Sequence, residues 1–180
     1  MRSVLRSLAF VAGLACSVAV VAAQSQVTKE SVPGIVNFSK VETTVACAGA
    51  TTPAALAEVK RMGYASVINL RQANEPGADI DAAAAAAKAA GINFIHIPFN
   101  AASPDPMLVD NFLKAITNKA NQPAFIHCAS GNRAAAMWMI KRALIDKWEV
   151  DRAAEEAASL GLTNPALKTY ATEQIQARKK

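Results

Sequence analysis

The stretch Ala124-Phe-Ile-His-Cys-Ala-Ser-Gly-Asn-Arg-Ala-Ala-Ala-Met137 decides the fold. Pro123 to His127 is a short apolar run opening on a proline, the pattern of a fully buried strand. Ala134 to Ile145 places Met137, Ile140 and Leu144 along one side of a helix. Between strand and helix lies a short loop holding Cys128, Gly131 and Arg133. A strand that passes through a tight loop into a helix is the unit of an α/β sheet, in which chemistry collects at the carboxyl ends of the strands.

The pattern recurs upstream. Ala65 to Leu70 and Asn93 to Ile97 read as strands, with Ile35 to Phe38 and Thr44 to Cys47 as shorter candidates behind a loose leader at 24–34. Thr52-Pro53 offers a cap and a first-turn proline for a helix over Ala54 to Met62, stopped by Gly63. Asp79 to Ala90 carries eight alanines, and with Gly91 behind them the run predicts a helix slim enough to lie close to a sheet. Pro106 to Ala120 sets Leu108, Phe112, Ala115 and Ile116 at helical spacing, and Val150 to Leu160 and Pro165 to Ala177 give two more helices. Crossovers of a dozen or more residues between strands predict a three-layer α/β domain: a mostly parallel sheet of about four to five strands flanked by helices on both faces. Loops 71–78, 98–105 and 128–133 then meet at one end of it.

Of the 180 residues, 52% are apolar and 18% charged, with eight glycines and eight prolines, which excludes collagen, a disulfide miniprotein and a wholly disordered chain. Residues 1–23 read as a secretory signal: Arg2 and Arg6, an apolar run from Leu8 to Val21, then Val21-Ala22-Ala23 with cleavage near Ala23. That run is shorter than the roughly 20 residues of a spanning helix, so the expectation is a periplasmic or secreted protein with no stable membrane span after cleavage. Residues 24–180 form one domain. Without Arg2 and Arg6 the net charge drops from +5 to +3 and the remaining basic residues are scattered except at the tail, which argues against nucleic acid as a partner. Cys47 and Cys128 are the two cysteines left after cleavage; either they pair, or one is kept as a thiol for chemistry.

The loop after His127 supplies that chemistry. Successive backbone N–H groups of Ala129, Ser130, Gly131 and Asn132 can point inward and cradle an anion, the helix N-terminus adds partial positive charge, and the same field favours a thiolate at Cys128. Arg133 can grip two oxygens of a transferred group. A thiolate beneath such a ring suits attack on phosphorus or relay of sulfur. The plainer alternative makes Cys128 a small buried hydrophobe in a strand-to-helix turn. No cofactor and no metal site is expected.

His127-Cys-x-x-Gly-x-Arg133 resembles the signature of the cysteine-dependent tyrosine and dual-specificity phosphatases, with four residues between cysteine and arginine where those enzymes have five. Four is the rhodanese sulfurtransferase spacing, yet no rhodanese-like Asp-Val-Arg or Gly-His-Ile-Pro-Gly-Ala segment precedes it. The chain is similar, from about Val45 to Trp138, to the phosphatase-like domain of the bacterial beta-lactamase-hydrolase-like family, which carries the shorter loop. Gly49 to Pro53 resembles its Gly-Gln-Pro-Thr-Pro turn, and Val67-Ile-Asn-Leu-Arg71 and Phe94-Ile-His-Ile-Pro98 resemble its strands. The resemblance implies a dual-specificity-phosphatase-like fold, Cys128 as nucleophile, Arg133 as the residue that binds the transferred group, and the amides of Ala129 to Asn132 as the cradle. Two positions depart from it: Ala134 stands where phosphatases usually carry Ser or Thr, and Ala129 where the family often has a basic residue.

Phosphate-ester cleavage also needs a proton for the leaving oxygen. Asp105, the one carboxylate in the loop after Asn93 to Ile97, is the candidate general acid, although with Pro106 behind it a helix cap explains it better. Arg71 is a candidate substrate contact at the rim or, alternatively, the surface partner of Glu75. Cys47 is either a resolving thiol or an ordinary buried cysteine, and His96 reads as structural. Three functions compete: a phosphatase acting through a phosphocysteine intermediate, a sulfurtransferase that holds a persulfide on Cys128, and a non-catalytic anion-binding module. The implied partners are a small phosphorylated or sulfur-donor substrate and a periplasmic thiol reductant that keeps Cys128 reduced.

Overall fold

The structure, a computed structural model, describes residues 27–179, so the expected signal segment lies outside the described residues. Six strands and six α-helices follow in order: β1 (Thr28–Lys29), β2 (Ser39–Glu42), β3 (Val45–Ala48), α1 (Leu56–Arg61), β4 (Ser66–Asn69), α2 (Ile80–Ala90), β5 (Asn93–His96), α3 (Leu108–Thr117), β6 (Ala124–His127), α4 (Asn132–Leu144), α5 (Val150–Ser159) and α6 (Pro165–Arg178). Short 3-10 turns precede α1 at Pro53–Ala55 and follow α3 at Lys119–Asn121.

The sheet order is β1-β2-β3-β6-β4-β5. The four strands from β3 to β5 are parallel, and β1 and β2 add an antiparallel ribbon at one edge. The sheet is therefore mixed and one strand larger than the upper bound read from the sequence. Ile35 to Phe38 is not a strand: Ile35 makes single bridges to Val32 and Thr51, and Asn37 turns the chain at φ +52° before β2 begins at Ser39. Polar Ser39, Lys40 and Glu42 hide β2 from a reading based on apolar runs, because only Ser39 and Val41 of its four residues point inward.

The parallel strands are buried on both faces, as their near-continuous apolar composition requires. One face packs on α3 to α6, with Ile68, Ile126, Phe112, Met137 and Trp138 in its core; the other packs on α1 and α2 through Phe38, Tyr64, Val67 and Phe125. The alanine helix behaves as its composition predicts. Ala83 and Ala87 are buried against the second face, Asp79 accepts the Ala82 N–H at 2.9 Å, and Gly91 closes the helix at φ +67°. On the first face, Glu156 of α5 receives Trp138 Nε1 at 2.7 Å and Arg142 Nε at 2.7 Å, which ties α5 to α4 with every partner buried and satisfied. Among the described residues no helix is long and apolar enough to cross a membrane. The carboxyl ends of β3, β6 and β4 lie side by side, and the loops that leave them build the site.

Candidate active site

Cys128 follows β6 directly and is fully buried. Its N–H reaches the Ala48 carbonyl at 3.2 Å, extending the ladder between β6 and β3. The next two carbonyls are drawn outward: that of Ala129 accepts the Ala50 N–H at 2.8 Å, and that of Ser130 accepts Asn37 Nδ2 at 3.0 Å. With the Ser130 carbonyl held outside, the next peptide plane turns the Gly131 N–H inward, where it donates to Cys128 Sγ at 3.1 Å; the Asn132 N–H lies 3.5 Å from Ser130 Oγ. Gly131 sits at φ +99°, a conformation that a side chain would strain. A second glycine is required by proximity. A Cβ on Gly49 would stand 3.0 Å from the Ala129 oxygen and 3.1 Å from Ser130 C and Val36 O, all backbone atoms that cannot swing aside.

Arg133 opens α4 and folds back over this loop. Its Nη1 donates to Glu75 Oε1 at 2.6 Å, Phe99 O at 2.9 Å and Leu70 O at 3.2 Å, and its Nη2 donates to Glu75 Oε2 at 2.7 Å. Burial alone would lower the guanidinium pKa, but the Glu75 hydrogen bonds and the neighbouring Cys128 and Glu75 charges hold it above its usual value. Burial alone would raise that of Glu75, yet its bonds from Arg133, the Gln72 N–H and Arg71 outweigh burial and bring it down to about 2. The pair is charged on both sides at every ordinary pH. The fork occupies both terminal nitrogens of the guanidinium, and Cys128 lies close enough to raise its pKa further. Beside it opens a cavity of about 370 Å³ walled by Glu75, Asn100, Ala101, Arg133, Asn164 and Leu167 among others.

Residues 37–145, more than half the chain, match the family model described as beta-lactamase hydrolase-like protein, phosphatase-like domain. The chain belongs to this family. The boundaries of the match take in Asn37, which holds the loop from outside, and both sides of the Cys128–Arg133 turn. No curated protein matches the chain in sequence. Solved structures share the fold of this phosphatase-like domain. A DUF442 protein of Shewanella putrefaciens CN-32 is 20% identical over 81% of this chain and 94% of that one, and superposes with a TM-score of 0.69. TpbA of P. aeruginosa is 18% identical over 86% and 91% of the two chains at 0.65, and a cysteine-to-serine form of it has been seen in complex with pTyr. The core catalytic domain of the PP-IP phosphatase SIW14 of S. cerevisiae, in complex with citrate, is 19% identical over 82% and 93% at 0.64.

Within the phosphatase-like domain, Cys128, Ala129, Ser130, Gly131, Asn132 and Arg133 come together as one loop. Asp105 does not join them. It is exposed, its Oδ1 caps the Met107 N–H at 2.7 Å, and it borders a different cavity, between β5 and α3. Arg71 lies inside rather than on the rim. It is 6% exposed and spends its guanidinium on Glu75 at 3.4 Å, Gly77 O at 3.0 Å and Pro76 O at 2.6 Å, so it braces the loop that carries Glu75. His96 bonds the Arg71 carbonyl at 2.8 Å and braces the same loop. His127 is buried on the far face of the sheet, stacked on Phe125 at 5.7 Å, and burial, then the Arg71 charge, bring its pKa down to about 4. Cys47 and Cys128 are both free thiols, and Cys47 is pushed above its usual range by burial and by its proximity to Cys128.

Three contacts escaped the sequence reading: the capture of Arg133 by Glu75, the Asn37 bracket and the bonds of the Asn132 side chain. That side chain accepts the Thr163 and Asn164 N–H groups at 2.8 Å each, fastening the cysteine loop to the turn between α5 and α6. A second cavity of about 610 Å³, lined by Lys29, Glu30 and Ile35 among others, opens on the other side of Ser130 and Asn132.

Proposed function

We propose that this domain is an exported, cysteine-dependent phosphatase that cleaves phosphate monoesters through a phosphocysteine intermediate. The observation that carries the reading is the Arg133 fork. Glu75, Leu70 O and Phe99 O fix the guanidinium beside a loop whose Gly131 N–H donates to the sulfur, an arrangement that supports holding a phosphoryl group in line with an attacking sulfur. Sγ of Cys128 forms a bond to phosphorus while the ester P–O bond breaks. The leaving oxygen takes its proton from water, since Glu75, the one carboxylate among the described residues that wall the cavity, is held ionised by Arg133. A second water then attacks phosphorus, releases inorganic phosphate and returns the thiolate. Export rests on the leader at residues 1–23.

The test is aryl phosphate hydrolysis by the chain beginning at Gln24, compared with Cys128→Ser and Arg133→Ala. Loss of turnover in both variants is expected, and equal rates in all three proteins would overturn the reading.

One observation favours a second reading: Asp105 lies outside the cavity, and transfer of sulfane sulfur needs no general acid. In that scheme thiosulfate gives its outer sulfur to Cys128 as a persulfide, sulfite departs, and cyanide accepts the sulfur. A one-sulfur mass adduct on Cys128 after thiosulfate treatment supports this reading; an unmodified thiol rejects it.

A further inference from the structure

The cavity beside Arg133 is poor in charge for a phosphate-handling site. Among the described residues the charged side chains on its wall are Arg133 and Glu75, and these are already bound to each other through two short hydrogen bonds. The rest of the polar wall is largely carboxamide, from Gln72, Asn100 and Asn164, with Ala101 and Leu167 between. Ala129 and Ala134 add no charge from the loop itself. The second cavity, beyond Ser130 and Asn132, carries Lys29 and Glu30, again one of each sign.

A single phosphoryl group is therefore provided for, by the loop backbone and Arg133. For a second phosphate the described wall offers no cation beyond Arg133, and Arg71, on the other side of Glu75, is buried and spent on Glu75, Gly77 O and Pro76 O. Moving such a group out of water into this cavity gives up hydration that nothing replaces. Carboxamides, by contrast, both donate and accept, and they match amides and hydroxyls.

Resting on the phosphate-ester reading above, we infer that the substrate is a single phosphate monoester on an uncharged polar body, rich in amides or hydroxyls, and that polyphosphorylated molecules are excluded by the neutral wall. Peptide and carbohydrate bodies share this chemistry.

The test is calorimetric titration of full-length Cys128→Ser protein at 0.15 M salt with three probes: N-acetyl-phosphotyrosine amide, glucose 6-phosphate and inositol hexakisphosphate. At least one of the first two is expected to bind at least tenfold more tightly than the hexakisphosphate, and which one separates the two kinds of body. Tighter binding of the hexakisphosphate would overturn the inference while leaving the phosphate-ester reading intact, and binding of none of the three would overturn both. Ala101→Lys, on an exposed part of the wall, supplies the missing cation and is expected to narrow the ratio at least fivefold; an unchanged ratio would show that wall charge is not what selects.

Discussion

Glu75 holds Arg133 by both carboxylate oxygens, at 2.6 and 2.7 Å, from a loop 58 residues upstream. Both side chains are mostly shielded, at 16% and 12% exposure, so the pair is neither a solvated surface bridge nor sealed from water. The two bonds fix where the guanidinium can lie, and the Leu70 and Phe99 carbonyls hold it through Nη1 as well.

Glu75→Gln keeps one acceptor and removes the charge. Hydrogen bonds to charged groups contribute about 1.5–3 kcal/mol, so a loss of that order, reduced by partial exposure, is expected in thermal or urea denaturation. Aryl phosphate kcat/KM should fall at least tenfold, with phosphate binding weakened in parallel. Wild-type kinetics in Glu75→Gln would show that Leu70 O and Phe99 O suffice to aim Arg133.

Two groups predict the acid side of the stability profile. His127 has its pKa lowered to about 4 in the folded chain, against about 6.5 when unfolded, so the unfolded state binds the extra proton between those values. Its contribution is complete above pH 6.5 and is lost as pH falls toward 4. Glu75, lowered to about 2 from an ordinary 4.5, contributes fully above 4.5 and loses that contribution as pH falls toward 2. Melting temperature measured from pH 7 to 3 should decline in two overlapping stages. His127→Asn should flatten the upper stage and Glu75→Gln the lower one, and parallel profiles for all three proteins would contradict the assignment.

Gly49→Ala would press a methyl group against the backbone of Ala129, Ser130 and Val36. Overpacking against atoms that cannot rotate away costs about 1–3 kcal/mol. Because the displaced segment is the proposed anion cradle, stabilisation by added phosphate, read as a shift in melting temperature, is expected to shrink more than the melting temperature itself. An undiminished phosphate shift would mean that the loop tolerates the methyl group.

Asp105→Ala removes the bond to the Met107 N–H, a capping interaction of about 1 kcal/mol. Stability should fall by that amount while kcat on a substrate with a good leaving group, such as p-nitrophenyl phosphate, stays within twofold of wild type. A drop in kcat of tenfold or more, together with loss of the descending basic limb of the pH–rate profile, would restore Asp105 as the general acid.

Legibility in the sequence followed the range of the interactions. The helix over Ile80–Ala90 was readable because Asp79, the alanines and Gly91 act within a few residues of one another. The helix over Leu108–Thr117 was readable from its apolar spacing, although it starts two residues inside the predicted Pro106. The edge ribbon was not readable: β1 has two residues, and β2 buries half of a polar tetrapeptide, so neither leaves a period to find. Arg71 and Glu75 were paired correctly by spacing, but their burial and the capture of Arg133 by the same carboxylate depend on how that loop packs.

By itself the sequence determined the strand–loop–helix unit, because a short apolar strand, a glycine-containing turn and an apolar-sided helix are all local properties of Ala124 to Met137. Only the tertiary structure decided which carboxylate binds Arg133, that Asp105 faces another cavity, and that the described wall beside Arg133 carries no further cation. Those outcomes depend on loops from β4, β5 and α5 converging on one end of the sheet, and packing between distant segments leaves no periodic trace in any one of them.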